Sequence, residues 1–222
     1  MEPSFWLERW ESNNIGFHKK EANPLLVEYV ETLALPPGSR ICLPLCGKTR
    51  DIAWLLSQGY PVIGIELIER AVEQLFDELG VKPTRSQTGT IQRYQSPDRQ
   101  DLEILTGNIF EVSPELMGSV DAVYDRAALV ALPKAMRQEY TQHLGQLTGH
   151  APQLLLTYEY DQDLMDGPPF SIGPEEVHQH YSDRYHLSLL LRTPVNGGLK
   201  GMYPATEQVW LLKPHSPSRD VE

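Results

Sequence analysis

Cysteine is scarce in this chain, and basic residues are outnumbered. The 222 residues include two cysteines, Cys42 and Cys46, both inside one apolar segment. A disulfide framework is therefore unsupported. Their C-x-x-x-C spacing has no second half, so a zinc site is unsupported as well, and no metal is expected. Nineteen Lys and Arg stand against thirty Asp and Glu, a formal charge of −11, and no local basic cluster offsets that balance. Such a surface repels phosphate backbones, which argues against nucleic-acid binding and for a small-molecule partner. No apolar stretch approaches the ~20 residues of a bilayer span. The opening MEPSFWLERWE carries acids where a secretory leader needs a basic start and an apolar run. The expectation is a cytoplasmic protein with no membrane partner.

What is present suffices for a core: 41% of the residues are hydrophobic and 22% charged. The length suits one domain, expected as a monomer. Residues 36–214 would form its core, residues 1–35 a helical cap and residues 215–222 a frayed tail. Asn23-Pro24 is a helix-start signal, followed by Leu25, Leu26, Tyr29, Val30 and Leu33 on one face, and Pro36-Pro37-Gly38 stops that helix. Arg40 to Leu45 reads as a buried strand leading through Cys46-Gly47-Lys48-Thr49 into a helix. Pro61 to Leu67 reads as a second strand, backed by a helix that ends at Gly80. From Lys82 to Gln100 the chain turns polar and predicts an excursion with an irregular hairpin around Thr90 to Tyr94. Further strands are expected over Leu102–Phe110, Val120–Tyr124 and Gln153–Tyr158, and helices over Pro133–Leu147 and Pro174–Tyr181. The apolar runs Tyr185–Arg192 and Thr206–Leu212 have no helix between them. Alternating strands and helices give an α/β fold, a mostly parallel sheet covered on both faces, with a C-terminal antiparallel hairpin.

In an open sheet of this kind ligands collect beyond the carboxyl ends of the strands. The residues there are Pro44 to Thr49, Glu66, Asn108-Ile109, Asp125-Arg126 and the stretch from Glu159 to Asp163. Gly47-Lys48-Thr49 matches the end of a phosphate-binding P-loop, but Cys42 stands where the first glycine is required. A nucleotide hydrolase is thus the rival reading. The G-x-G-x-x-G dinucleotide turn is missing too. S-adenosylmethionine carries one ribose and no phosphate, so it needs fewer glycines. Glu66 lies nineteen residues after Gly47, the spacing at which a strand-end carboxylate accepts hydrogen bonds from ribose hydroxyls. NAD would profit equally, so the spacing identifies a ribose rather than a cofactor. Asn108 and the following N–H can read an adenine edge, though alone Asn108 reads as a turn residue. Trp6 and Trp10 share a helical face, so one can pack as core while the other covers a sulfonium. His18 has the ordinary pKa of a proton acceptor, while His178 and His180 diverge on their helix and argue against a metal pair.

Together these residues resemble the thiopurine S-methyltransferase family over nearly the whole chain. The resemblance is carried by Phe5 to Trp10, Ile15 to His18, Pro44 to Lys48, Gly64 to Leu67, Val120 to Leu129 and Gly167 to Phe170, and it is closest to the bacterial branch. It implies a Rossmann-like domain that moves the methyl of S-adenosylmethionine to an aromatic or heterocyclic thiol, leaving S-adenosylhomocysteine. Members of that branch are also linked with methylating selenium and tellurium compounds. Carried over by position, Trp10, Leu45, Glu66, Asn108, Ile109 and Arg126 would contact the cofactor, with Gly47 in the same turn. Phe17 would face the acceptor. Arg126 is the catalytic candidate, a cation favouring the acceptor anion, whose planar fork could also hold Asp125 or a cofactor carboxylate. The stretch from Arg192 to Ala205 departs from the family's charged segment, and no role is carried to it.

Overall fold

Strand β1 (Ile41–Pro44) and strand β2 (Val62–Glu66) are buried along their whole length, as the apolar runs require of central parallel strands. They pair in register from Ile41 opposite Val62 to Pro44 opposite Ile65. A computed structural model describes residues 3–16 and 18–215 of the chain. Phe17 and residues 216–222 of the expected tail lie outside the described residues. The remaining strands are β3 (Thr84–Thr88), β4 (Ile91–Ser96), β5 (Arg99–Thr106), β6 (Ala122–Arg126), β7 (Gln153–Glu159), β8 (Tyr185–Pro194) and β9 (Thr206–Pro214). All nine form one sheet in the order β3-β4-β5-β2-β1-β6-β7-β9-β8. The five strands from β5 to β7 are parallel, and antiparallel pairs extend both edges. The chain leaves β1 for β2 on one side and crosses back from β5 to β6 on the other, so the strand order reverses at β1, the position where open sheets of this kind bind ligands at the carboxyl ends.

The helices are α1 (Pro3–Glu11), α2 (Pro24–Tyr29), α3 (Arg50–Ser57), α4 (Glu69–Leu79), α5 (Pro114–Met117), α6 (Lys134–Leu147) and α7 (Pro174–Tyr181). Asn23 caps α2, its side-chain oxygen accepting the Leu25 N–H at 2.9 Å. The helix passes into a 3-10 turn over Val30–Leu33 before the prolines. Gly80 closes α4 at φ 66°, where a Cβ would be strained. Two apolar layers flank the sheet. One holds Ile52, Leu55, Val72, Phe76 and Tyr124, the other Leu129, Tyr140, Leu144, Tyr181 and Trp210. Each fully buried aliphatic or aromatic side chain contributes roughly 1.5–3 kcal/mol.

The polar excursion is more regular than the sequence implies. Residues 84–96 form an antiparallel pair, β3 and β4, that extends the sheet beyond β5. All of β3 is exposed, whereas Ile91, Tyr94 and Ser96 of β4 turn inward. Strand β5 begins at Arg99 and stops at Thr106, so the expected strand to Phe110 ends early and Ile109–Glu111 is a 3-10 turn. Strand β6 runs on through Asp125 and Arg126, two residues past its expected end. The C-terminal runs pair as expected, with β9 lying between β7 and β8.

Candidate active site

Beyond β1 the chain makes a tight corner with Leu45 at φ 47° and Gly47 at φ 54°. The corner is pinned from the next strand. Glu66 Oε2 accepts the Gly47 N–H at 2.7 Å, and Oε1 accepts the Ile68 N–H at 2.9 Å. Glu66 is only 6% exposed. Burial pushes its pKa up, while the Ile68, Gly47 and Leu67 N–H groups favour the ionised form. Each carboxylate oxygen retains a lone pair beyond these bonds. Glycine at position 47 answers a second demand, because an added Cβ would lie 3.1 Å from the Trp10 ring. Trp10 is 3% exposed and packs with Ile68 and Ala71, so α1 sits against the β1 and β2 corners. Trp6 is half-buried beside that cluster and meets Phe5 edge to face at 5.2 Å. Of the two tryptophans, Trp10 is the core residue.

The third corner follows β5. Thr106 pairs with Glu66, and the Gly107 N–H donates to the Glu66 carbonyl at 2.9 Å. Asn108 is exposed and its Oδ1 accepts the Phe110 N–H at 3.2 Å, the capping role that its residue type suggests. Ile109 is buried, and its carbonyl lies 2.8 Å from His143 Nε2. Leu45, Gly47, Glu66, Asn108 and Ile109 thus occupy three adjacent strand ends.

Arg126 ends β6 on the other side of β1. It is half-buried and makes no ion pair within 4 Å among the described residues. The suggested pairing with Asp125 does not occur. Strand alternation sends the two side chains to opposite faces, and Asp125 is bonded to the Tyr140 hydroxyl at 2.7 Å. Within reach of the Arg126 charge is Tyr158, which pairs with Glu207 of β9. Burial raises the pKa of Glu207, opposed by its bond from Tyr158 and the charges of Arg126 and Lys19. Burial and the Lys48, Arg50 and Arg126 charges lower the pKa of His18, opposed by Glu78. Sequence reasoning missed Tyr158 and Glu207, because their proximity depends on the β7–β9 register; the alternation of β6 could have separated Asp125 from Arg126.

Lys48, the central residue of the P-loop-like triplet, pairs with Glu78 of α4 at 2.7 Å, and Arg50 joins the same carboxylate at 3.2 Å. The segment around Gly167 to Phe170 is tied to the turn after Arg126: the Phe170 N–H donates to the Val130 carbonyl at 2.7 Å. His178 faces the Pro174 carbonyl and His180 faces Glu176. No group of three or more potential metal ligands exists among the described residues. The donor set fits an adenosyl cofactor on three counts: a buried carboxylate with spare lone pairs, a corner without a Cβ, and a cation that makes no ion pair within 4 Å among the described residues.

Comparison with known proteins agrees with this geometry. The family described as Thiopurine S-methyltransferase (TPMT) matches residues 1–212. A thiopurine S-methyltransferase of Xanthobacter autotrophicus is 52% identical over 214 residues, spanning 96% of this chain and 99% of that one. One from Gluconobacter oxydans is 44% identical, spanning 96% of each. Among solved structures, Burkholderia thailandensis 1,6-didemethyltoxoflavin-N1-methyltransferase, with 1,6-didemethyltoxoflavin and S-adenosylhomocysteine bound, superposes with a TM-score of 0.64 at 14% identity, covering 95% of this chain and 87% of that one. A SAM-dependent methyltransferase of Anabaena variabilis gives 0.61 at 14% identity, covering 96% and 95%. At such identities these two likenesses concern the fold.

Proposed function

The chain belongs to the thiopurine S-methyltransferase family and is an S-adenosylmethionine-dependent methyltransferase, and from that premise we propose that it methylates the sulfur of aromatic or heterocyclic thiols such as thiopurines. The observation that carries the reading is the meeting of strand ends beside β1, with Glu66 bonded to Gly47 on one side and Arg126 at the end of β6 on the other. S-adenosylmethionine supplies an electrophilic methyl on a sulfonium. Glu66 would accept the ribose hydroxyls through its remaining lone pairs while keeping the Gly47 corner in place. Leu45, Asn108 and Ile109 would border the nucleoside, and Trp10 would hold α1 over the corner and help to exclude water. Phe17 would face the acceptor.

Methyl transfer from a sulfonium discharges a cation, so alignment and an electron-rich sulfur matter more than a strong base. Arg126 would favour the thiolate by its charge and align it through its planar fork. His18, held below its ordinary pKa, would be neutral at physiological pH and able to accept a thiol proton. Arg126→Lys tests the assignment: charge persists while the fork is lost. Roughly tenfold to hundredfold lower kcat/KM with an unchanged melting temperature is expected. An unaltered rate would remove Arg126 from its role. Turnover on thiols compared with selenols and tellurium oxyanions would identify the preferred acceptor.

A further inference from the structure

The corner that presents Arg126 is built around a buried acid. Asp125 is fully buried, and its Oδ1 accepts the Leu129 N–H at 3.1 Å while the Tyr140 hydroxyl of α6 donates to Oδ2 at 2.7 Å. The Ala128 N–H supports the same carboxylate. Between these anchors Ala127 takes φ 66°, a left-handed conformation that strains a residue with a Cβ and persists where surrounding bonds over-determine it. The 3-10 turn Leu129–Ala131 begins at the captured N–H and carries Val130, which accepts the Phe170 N–H. The carboxylate is therefore bonded within the turn that follows Arg126, on the face of the sheet opposite the Arg126 side chain.

We propose that Asp125 is a positioning residue for methyl transfer: as a carboxylate it locks the Ala127 corner and so fixes where Arg126 stands. The proposal rests on the role given to Arg126 above. When Asp125 is protonated, one acceptor becomes a donor, the bonds to Leu129 and Tyr140 loosen, and Arg126 loses its alignment. The groups facing Asp125 from the surrounding elements are Tyr140 of α6, Tyr181 of α7 and Cys42 of β1. Burial raises the pKa of all three, so none becomes charged near neutral pH. Burial also pushes Asp125 up, to about 6, against the pull of its hydrogen bonds from Tyr140, Leu129 and Ala128.

The test measures kcat/KM of the full-length enzyme from about pH 5 to 8, where Asp125 changes charge. A nitro-substituted aromatic thiol that stays ionised throughout serves as acceptor, so the acceptor adds no titration of its own. His18 and Glu66 can also shape the acid limb, and two variants isolate Asp125 from them. Asp125→Asn should fall roughly tenfold to a hundredfold below wild type near neutral pH, with the two profiles converging in acid and a melting temperature no lower than wild type. Tyr140→Phe removes a bond that favours the ionised carboxylate, so its acid limb should move to higher pH. Equal rates for Asp125→Asn and wild type at neutral pH would overturn the proposal. If Asp125→Asn does not fold, an unmoved limb in Tyr140→Phe overturns it alone. A wild-type enzyme that methylates no thiol would bring down the functional reading itself, and the proposal with it.

Discussion

At Gly47 two constraints coincide in one residue: a φ of 54° and a tryptophan ring 3.1 Å from the position of a Cβ. Gly47→Ala should therefore cost about 1–2 kcal/mol in stability through the left-handed backbone alone. It should also displace Trp10 and weaken S-adenosylhomocysteine binding, which denaturant unfolding and titration calorimetry would measure. An alanine variant with wild-type affinity would mean that the contact between α1 and the corner is incidental to the cofactor site. Asp125 poses the opposite case, a residue whose charge opposes folding. Its folded pKa of about 6 lies above the ordinary 3.8, so the folded chain holds the proton more firmly than the unfolded chain. The stability owed to the neutral acid is complete below about pH 4 and is lost as pH rises through about 6, a difference of about 3 kcal/mol at neutral pH. That is why Asp125→Asn is expected to melt no lower than wild type while losing rate. The sequence showed Asp125 and Arg126 as adjacent charges at a strand end, and a fork between them was a fair reading. Strand alternation overrules it, because the stronger demand on Asp125 comes from Tyr140 and the Leu129 N–H.

Helix α1 is a short element with one deeply buried anchor, Trp10, and nine residues are too few to hold helical structure in isolation. Its order therefore depends on the cluster with Ile68 and Ala71. In Trp10→Ala, amide hydrogen exchange over residues 3–11 should accelerate to near-unprotected rates while the sheet strands keep wild-type protection, and cofactor affinity should fall. Uniform acceleration across the sheet would instead make α1 part of the global folding unit. Legibility also varied by element. Apolar central strands and helices that open on a proline, such as α2 and α7, could be read because burial and the fixed proline backbone angle impose a local pattern. Of the pair β3–β4 the hairpin around Thr90 to Tyr94 could be read but strand β3 could not, since an edge strand exposed along its whole length has no apolar alternation to betray it. Its order comes from pairing with β4 and from Arg85, which reaches Glu69 and Glu73 of α4 at 3.1 and 2.7 Å.

For the whole molecule, the order of strands explains why the site was partly legible. Glu66, Gly47 and Arg126 end strands β2, β1 and β6, three neighbours in the sheet, and the rule that ligands collect at such ends singles them out before any contact is known. Tyr158 and Glu207 entered only through the β7–β9 register, which joins segments nearly fifty residues apart. The proposed site would tie ligand binding to global stability, since a cofactor spanning these strand ends would bind the folded chain and have no counterpart in the unfolded one. S-adenosylhomocysteine at about a hundred times its dissociation constant should add about 2.7 kcal/mol. For a domain of this size that corresponds to a rise in melting temperature of about 5–11 °C, readable by calorimetry. Glu66→Gln keeps the shape and one acceptor but gives up the charge and replaces the other acceptor with a donor, so its shift at the same ligand concentration should shrink to a small fraction of that rise. A full wild-type shift in Glu66→Gln would place the ribose away from β2 and remove the carboxylate from the cofactor site.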